Sequence, residues 1–122
     1  MRRDWELVRQ VLLKLEQLGD TASVLESTDV LPYDADNVSY HMKIMDEAGL
    51  IEAHCLEHTG GTHCHASRLT WSGHEFLDQV REQTVWNRTK ASVREKGLAL
   101  SFEVIRMTAS AIIAGIVNGR LA

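Results

Sequence analysis

Proline occurs once in the 122 residues, at Pro32, and cysteine twice, at Cys55 and Cys64. A single proline excludes collagen-like or proline-rich architecture. Two cysteines cannot supply a disulfide framework, so a reducing, cytoplasmic setting is the expectation. No run of about 17–25 apolar residues is free of charge, and a membrane-spanning helix is not expected. The opening Met1-Arg2-Arg3-Asp4-Trp5-Glu6 leads straight into an amphipathic pattern and shows no apolar signal core. Basic charge is also short. Thirteen Lys and Arg stand against 17 Asp and Glu, for a formal net charge of −4, which argues against a generally basic nucleic-acid coat. What remains, 44% hydrophobic and 25% charged, is the composition of a globular chain with one modest core.

Hydrophobic spacing then orders the chain. Trp5, Val8, Val11, Leu12 and Leu15 recur at three- and four-residue steps and predict a helix over residues 4–18, with Asp4 as its cap and Gly19 as its stop. Residues 20–33 are irregular, with Ser23-Val24-Leu25 as a short strand, and Pro32 biases Leu31 towards an extended backbone. Asp34 to Ala48 reads as a second helix, capped by Asp34 or Asp36 and carrying Val38, Met42 and Met45 on one stripe with His41 beside it. Leu50-Ile51-Glu52-Ala53 follows as a strand, and the segment from Glu52 to Thr70 reads as a hairpin turning at Gly60-Gly61. Thr70 caps a further helix with Phe76, Leu77 and Val80 inside. Helices over Thr84–Lys96 and 98–117 complete the chain. The fold class expected is mainly α with a small β-hairpin: a winged-helix-like domain over 1–83 and a C-terminal helical extension over 84–122.

Two strings carry a family resemblance within that order. Tyr40-His41-Met42-Lys43-Ile44-Met45-Asp46-Glu47-Ala48-Gly49-Leu50-Ile51 resembles the third helix and first wing strand of winged-helix regulators. Leu69-Thr70-Trp71-Ser72-Gly73-His74-Glu75-Phe76-Leu77-Asp78 resembles the exit from a wing into the next helix. With Arg2-Arg3-Asp4 and Thr84-Val85-Trp86-Asn87-Arg88-Thr89-Lys90, the chain is similar to the domain of unknown function 2513 family over roughly residues 1–106. The resemblance implies a winged-helix-like fold and a bacterial or prophage setting, and it brings no catalytic residues. On that resemblance, the histidine-rich hairpin and the tail beyond about Thr108 are expected to be particular to this chain. DNA-binding winged helices place a helix directly before the recognition helix. Here only residues 19–33 separate the two, and a full helix barely fits.

Three surfaces are candidates for function. From Asp20 to Glu47 there are seven acidic residues, Asp20, Glu26, Asp29, Asp34, Asp36, Asp46 and Glu47, against the single basic Lys43. Such a face reads as solvated surface, as a patch for a basic protein partner that mimics nucleic-acid charge, or as an unfavourable recognition helix, because DNA binding depends on neutralising phosphates. For the DNA reading the residues are Asn37, Ser39, Tyr40 and Lys43 on that helix, with Arg88, Lys90 and Arg94 from the basic stretch over 81–96. The second surface is the hairpin. Pairing Thr59 with Thr62 sets His58 opposite His63 and puts His54, His58, His63 and His65 on one face, a candidate zinc or nickel site on a wing that otherwise reads as polar surface. The same pairing makes Cys55 and Cys64 diagonal neighbours, which disfavours a disulfide. The third is the last helix, where Phe102, Ile105, Ala109, Ile112 and Ile116 form an apolar seam suited either to its own core or to self-association.

His74 and Glu75 lack a nucleophile or oxyanion site beside them, so no enzyme and no cofactor are expected. Trp5, Trp71 and Trp86 read as core or interface anchors. The expectation is a homodimeric, non-enzymatic regulatory or interaction protein that binds an unidentified host or phage protein through its acidic surface. The alternatives are a dimeric DNA-binding regulator and a metal sensor built on the hairpin.

Overall fold

The computed structural model describes residues 1–119. Its elements are α1 (Trp5–Glu16), β1 (Leu25–Glu26), a 3-10 turn (Ser27–Asp29), α2 (Ala35–Glu47), β2 (Ile51–His58), β3 (Gly61–Leu69), α3 (Trp71–Val80), α4 (Gln83–Glu95) and α5 (Phe102–Val117). The protein is mainly helical with one small antiparallel sheet in the order β1-β3-β2. The short strand expected at Ser23-Val24-Leu25 lies at Leu25–Glu26 and joins the hairpin as a third strand, Leu25 pairing with Ala66 and Glu26 with His65. The segment before α2 holds a single 3-10 turn where a full helix had no room. The chain divides into two compact units between Glu75 and Phe76, inside α3, rather than after residue 83. Residues 120–122 of the expected extension lie outside the described residues.

The first unit is assembled by capping and by one buried histidine. The Asp4 carboxylate accepts from the Glu6 and Leu7 amides and starts α1, and Asp34 does the same for α2 through the Asn37 amide. His41 is fully buried on α2. Its Nε2 accepts the Asp4 N–H at 2.8 Å, so Nδ1 carries the proton and donates to the Asn37 carbonyl at 2.9 Å. One side chain thereby ties the start of α1 to the middle of α2. Val38, Met42 and Met45 point inward with it, as their spacing predicts. At the end of α2 the Gly49 and Leu50 amides fold back onto the Asp46 and Met45 carbonyls, and Leu50 leads directly into β2.

The hairpin register differs from the expected one by two residues. His58 pairs with Gly61, Glu57 with Thr62, Leu56 with His63, Cys55 with Cys64 and His54 with His65. Gly61 adopts φ 129° and lies against the Asp36 carboxylate. A glycine can close the hairpin in that left-handed conformation, whereas Thr62 would be strained there. A two-residue displacement preserves the faces, because strand side chains alternate with period two. The four histidines therefore still share one side of the hairpin, while Cys64 and Ala66 are buried on the other. Direct partners have changed, however, and Cys55 and Cys64 now form a disulfide with a Cα separation of 4.1 Å. The expected diagonal offset is corrected by this register.

In the second unit α4 packs along α5. Val85, Trp86, Thr89 and Val93 are buried on α4, and Ile105 and Ala109 on α5. The Phe76 and Phe102 rings stack with centroids 4.8 Å apart. In the apolar seam of the last helix, Ile105 and Ala109 are thus buried and Phe102 is half-buried and stacked on Phe76 within its own unit. Ile112 is half-buried, and Ile116 remains 42% exposed. The open side of α5 is instead Met107, Ala111, Ala114 and Val117, spaced by three and four residues. Trp5 and Trp86 are core, but Trp71 stays 79% exposed.

Gly73 sits in the third position of α3, where its amide donates to Thr70 Oγ1. The Thr70 amide and hydroxyl in turn donate to the Leu50 and Gly49 carbonyls. A Cβ on residue 73 would run into the Leu50 carbonyl oxygen. Gly73→Ala is therefore expected to destabilise the protein by roughly 2 kcal/mol or more, as overpacking against rigid backbone does, measured by thermal or urea unfolding. Ile105→Asp is expected to unfold the second unit, because it buries an unpaired charge, whereas Met107→Asp, at a site 68% exposed, should leave the circular dichroism spectrum unchanged.

Candidate functional site

The α2 stripe and the hairpin tip enclose a groove of about 490 Å³ lined by Met1, Asp36, Tyr40, Lys43, Ile44, Glu47, Gly61 and Thr62. Its floor follows from helical spacing. Asp36, Tyr40, Lys43 and Glu47 recur every three or four residues on the side of α2 opposite Val38, Met42 and Met45. Lys43 is the sole cation of this stretch, and its ammonium donates to the Glu57 carboxylate of β2 at 2.9 Å. That hydrogen bond raises the Lys43 pKa and lowers that of Glu57, so both stay charged through neutral pH and cancel each other. Asp36 and Glu47 remain as exposed carboxylates near the two ends of the α2 floor, with Tyr40 between them.

The other acidic residues of the expected patch hold local structure. Asp20 accepts from the Ala22 and Ser23 amides, and hydrogen bonding to Ser23 lowers its pKa. Asp29 accepts the Glu26 amide of the 3-10 turn, Asp34 caps α2, and Asp46 accepts the Ala53 amide of β2 at 3.1 Å. Glu26 lies 3.0 Å from His63 Nε2. The patch is thus partly scaffold and wholly acidic.

The residues of the DNA reading are divided between the two units. Ser39, expected on the outer face, is buried, and its hydroxyl accepts the Cys64 amide at 2.9 Å. The reason is the helical angle: Ser39 follows Val38 on the side that packs on β3, and a small hydroxyl there satisfies a strand amide that has no ladder partner. Asn37 is half-buried, with its carbonyl engaged by His41. Arg88, Lys90 and Arg94 belong to α4 of the second unit, and Lys90 lies over the Trp86 ring at 5.4 Å.

On the hairpin, His54 and His65 are in direct register with ring centroids 5.5 Å apart. His63 is held by Glu26 and by Ser27 Oγ. His58 Nδ1 accepts the Gly60 amide at 3.2 Å. Among the described residues no group of three or more His, Cys, Asp or Glu side chains is arranged to hold a metal ion.

The geometry also explains why particular strings of the sequence stand where they do. Gly73 is demanded by the Leu50 carbonyl, Trp86 fills the second unit, and the Thr89 hydroxyl donates to the Val85 carbonyl. All three lie inside residues 2–99, which match the sequence profile described as "Hypothetical protein (DUF2513)". The chain belongs to the DUF2513 family. It is 41% identical over 113 residues to an "Uncharacterized protein" of Haemophilus influenzae, covering 93% of this chain and 96% of that one. No solved structure matches it. Among the described residues no helix is long and apolar enough to cross a membrane.

Sequence reasoning missed Glu57 as the partner of Lys43, and Met1, Ile44, Gly61 and Thr62 as lining of the groove. The hairpin register is what brings Glu57 to Lys43, and the only available signal for it was the choice of which glycine closes the turn. The disulfide gives a direct check. Protein prepared without reductant should show no titratable thiol, and reduction should expose two and raise the mass by two hydrogens. Replacing both cysteines by Ala should lower stability by about 2–3 kcal/mol, the loop-closure contribution of so short a loop, measured by urea unfolding.

Proposed function

We propose that the protein is a non-enzymatic interaction module with a winged-helix type of first unit, and that the groove between α2 and the hairpin binds a basic segment of a protein partner. The observation that carries this reading is the Lys43–Glu57 pair. It cancels the one positive charge on the floor of the groove and leaves Asp36, Glu47 and the Tyr40 ring to meet a cationic chain. An arginine or lysine side chain gains charge complementarity from the carboxylates and a cation–π contact from the tyrosine. The winged-helix reading is supported by the strand order β1-β3-β2 and by α2 preceding the hairpin. The 3-10 turn takes the place of the helix that usually precedes a recognition helix.

The competing reading, a DNA-binding regulator, loses support from the same residues. Phosphate neutralisation supplies most of the affinity for duplex DNA. Here Lys43 is paired, Ser39 is buried, and the helix that would enter a groove is flanked by carboxylates. A second copy of the chain is the partner proposed for the open side of α5, at Met107, Ala111, Ala114 and Val117.

Fluorescence anisotropy with an arginine-rich peptide and with a random-sequence DNA duplex at physiological salt tests the proposal. The peptide should bind, and the double variant Asp36→Lys, Glu47→Lys should weaken it by about tenfold or more, the effect of reversing two exposed charges close to their partners. The duplex should not bind. Duplex binding at physiological salt that falls by ~1–3 kcal/mol on Asn37→Ala or Lys43→Ala would replace this reading with the regulator. For α5, light scattering over a concentration series should show a dimer that Met107→Asp converts to a folded monomer.

A further inference from the structure

We propose that His54 and His65 form a two-imidazole binding site for a late first-row divalent cation such as Zn2+, with water completing the coordination sphere. The site is independent of the acidic groove. The two residues are direct cross-strand partners of β2 and β3, and their ring centroids are 5.5 Å apart. With metal–nitrogen bonds of about 2.0–2.1 Å, two imidazoles sharing one tetrahedral cation have ring centres roughly 5 Å apart. The observed separation is close to that spacing, with the two rings tilted by 38° to each other. Imidazole is the ligand type that selects zinc, copper and nickel over magnesium or calcium.

The neighbouring residues confine the site to this pair. His63 has both ring nitrogens engaged, one by Glu26 and one by Ser27. His58 sits at the end of the hairpin, where Nδ1 accepts the Gly60 amide. Cys55 and Cys64 occupy the adjacent register position and face the other side of the sheet, joined by their disulfide. That bond holds the strands in the one register that sets His54 opposite His65. The backbone half of chelation is therefore in place before any ion arrives, which lowers the ordering cost of binding.

The test uses the full-length, tag-free protein with its disulfide intact, titrated with Zn2+ by isothermal titration calorimetry and, as the hard-cation comparison, with Mg2+. One Zn2+ site and no Mg2+ binding are expected. His54→Ala and His65→Ala should each weaken Zn2+ by at least about tenfold, since one imidazole alone cannot chelate. His58→Ala and His63→Ala should leave it within about threefold. Circular dichroism reports folding, and His54→Gln and His65→Gln repeat the measurement with polar side chains if an alanine variant fails to fold. Absence of Zn2+ binding overturns the site, and so does a loss in His58→Ala or His63→Ala equal to that in the paired residues.

Discussion

The Cys64 amide donates to the Ser39 hydroxyl of α2 while the Cys64 sulfur is bonded to Cys55 of β2. That single buried residue joins the helix, the central strand and the edge strand of the sheet. Sliding β2 by two residues along β3 would break the sulfur link. It would also part His54 from His65 and carry Glu57 away from Lys43. The groove and the histidine pair occupy different faces of the first unit, yet both depend on this register. Alternation of polar and apolar residues does not by itself give register control between pairings two residues apart, because such a slip keeps every side chain on its face. Here a covalent bond and a buried hydrogen bond supply it.

The elements that were legible in the sequence are those whose signal is local. Asp4, Asp34 and Thr70 announce helix starts because a short side-chain acceptor before an apolar stripe has one favoured use. Val38, Met42 and Met45 identify the inner face of α2 through spacing alone. The hairpin register was not legible. Gly60-Gly61 and Thr59-Gly60 are both plausible two-residue turns, and the structure uses Thr59-Gly60 with Gly61 opening β3 opposite His58. Everything derived from the register moved with it, including the disulfide.

Two further differences have the same origin. Ser39 reads as polar and therefore outward, but a strand amide without a ladder partner needs an acceptor, and a serine on the buried side of a helix provides one at little volume. The seam on α5 reads equally well as a dimer interface or as core, because periodicity reports that a face is buried and not what buries it. Packing of α4 along α5 decides the matter for Ile105 and Ala109. Gly73 and Trp86 are packing requirements of the structure, one set by the Leu50 carbonyl and the other by burial in the second unit. The acidic groove draws on residues with wider structural uses.

The dual employment of Asp20, Asp29, Asp34 and Asp46 constrains how this surface can change. Each is at once a fixed negative charge and the acceptor for a backbone amide of a turn, helix or strand. Replacement by alanine removes both properties together and confuses a lost partner with a frayed helix. Asparagine retains an acceptor oxygen of the same reach and is as good a cap, while discarding the charge. Sequence drift at these positions can therefore exchange aspartate for asparagine without disturbing the scaffold. The electrostatic character of the surface can fade or strengthen across the family while the backbone beneath it stays the same.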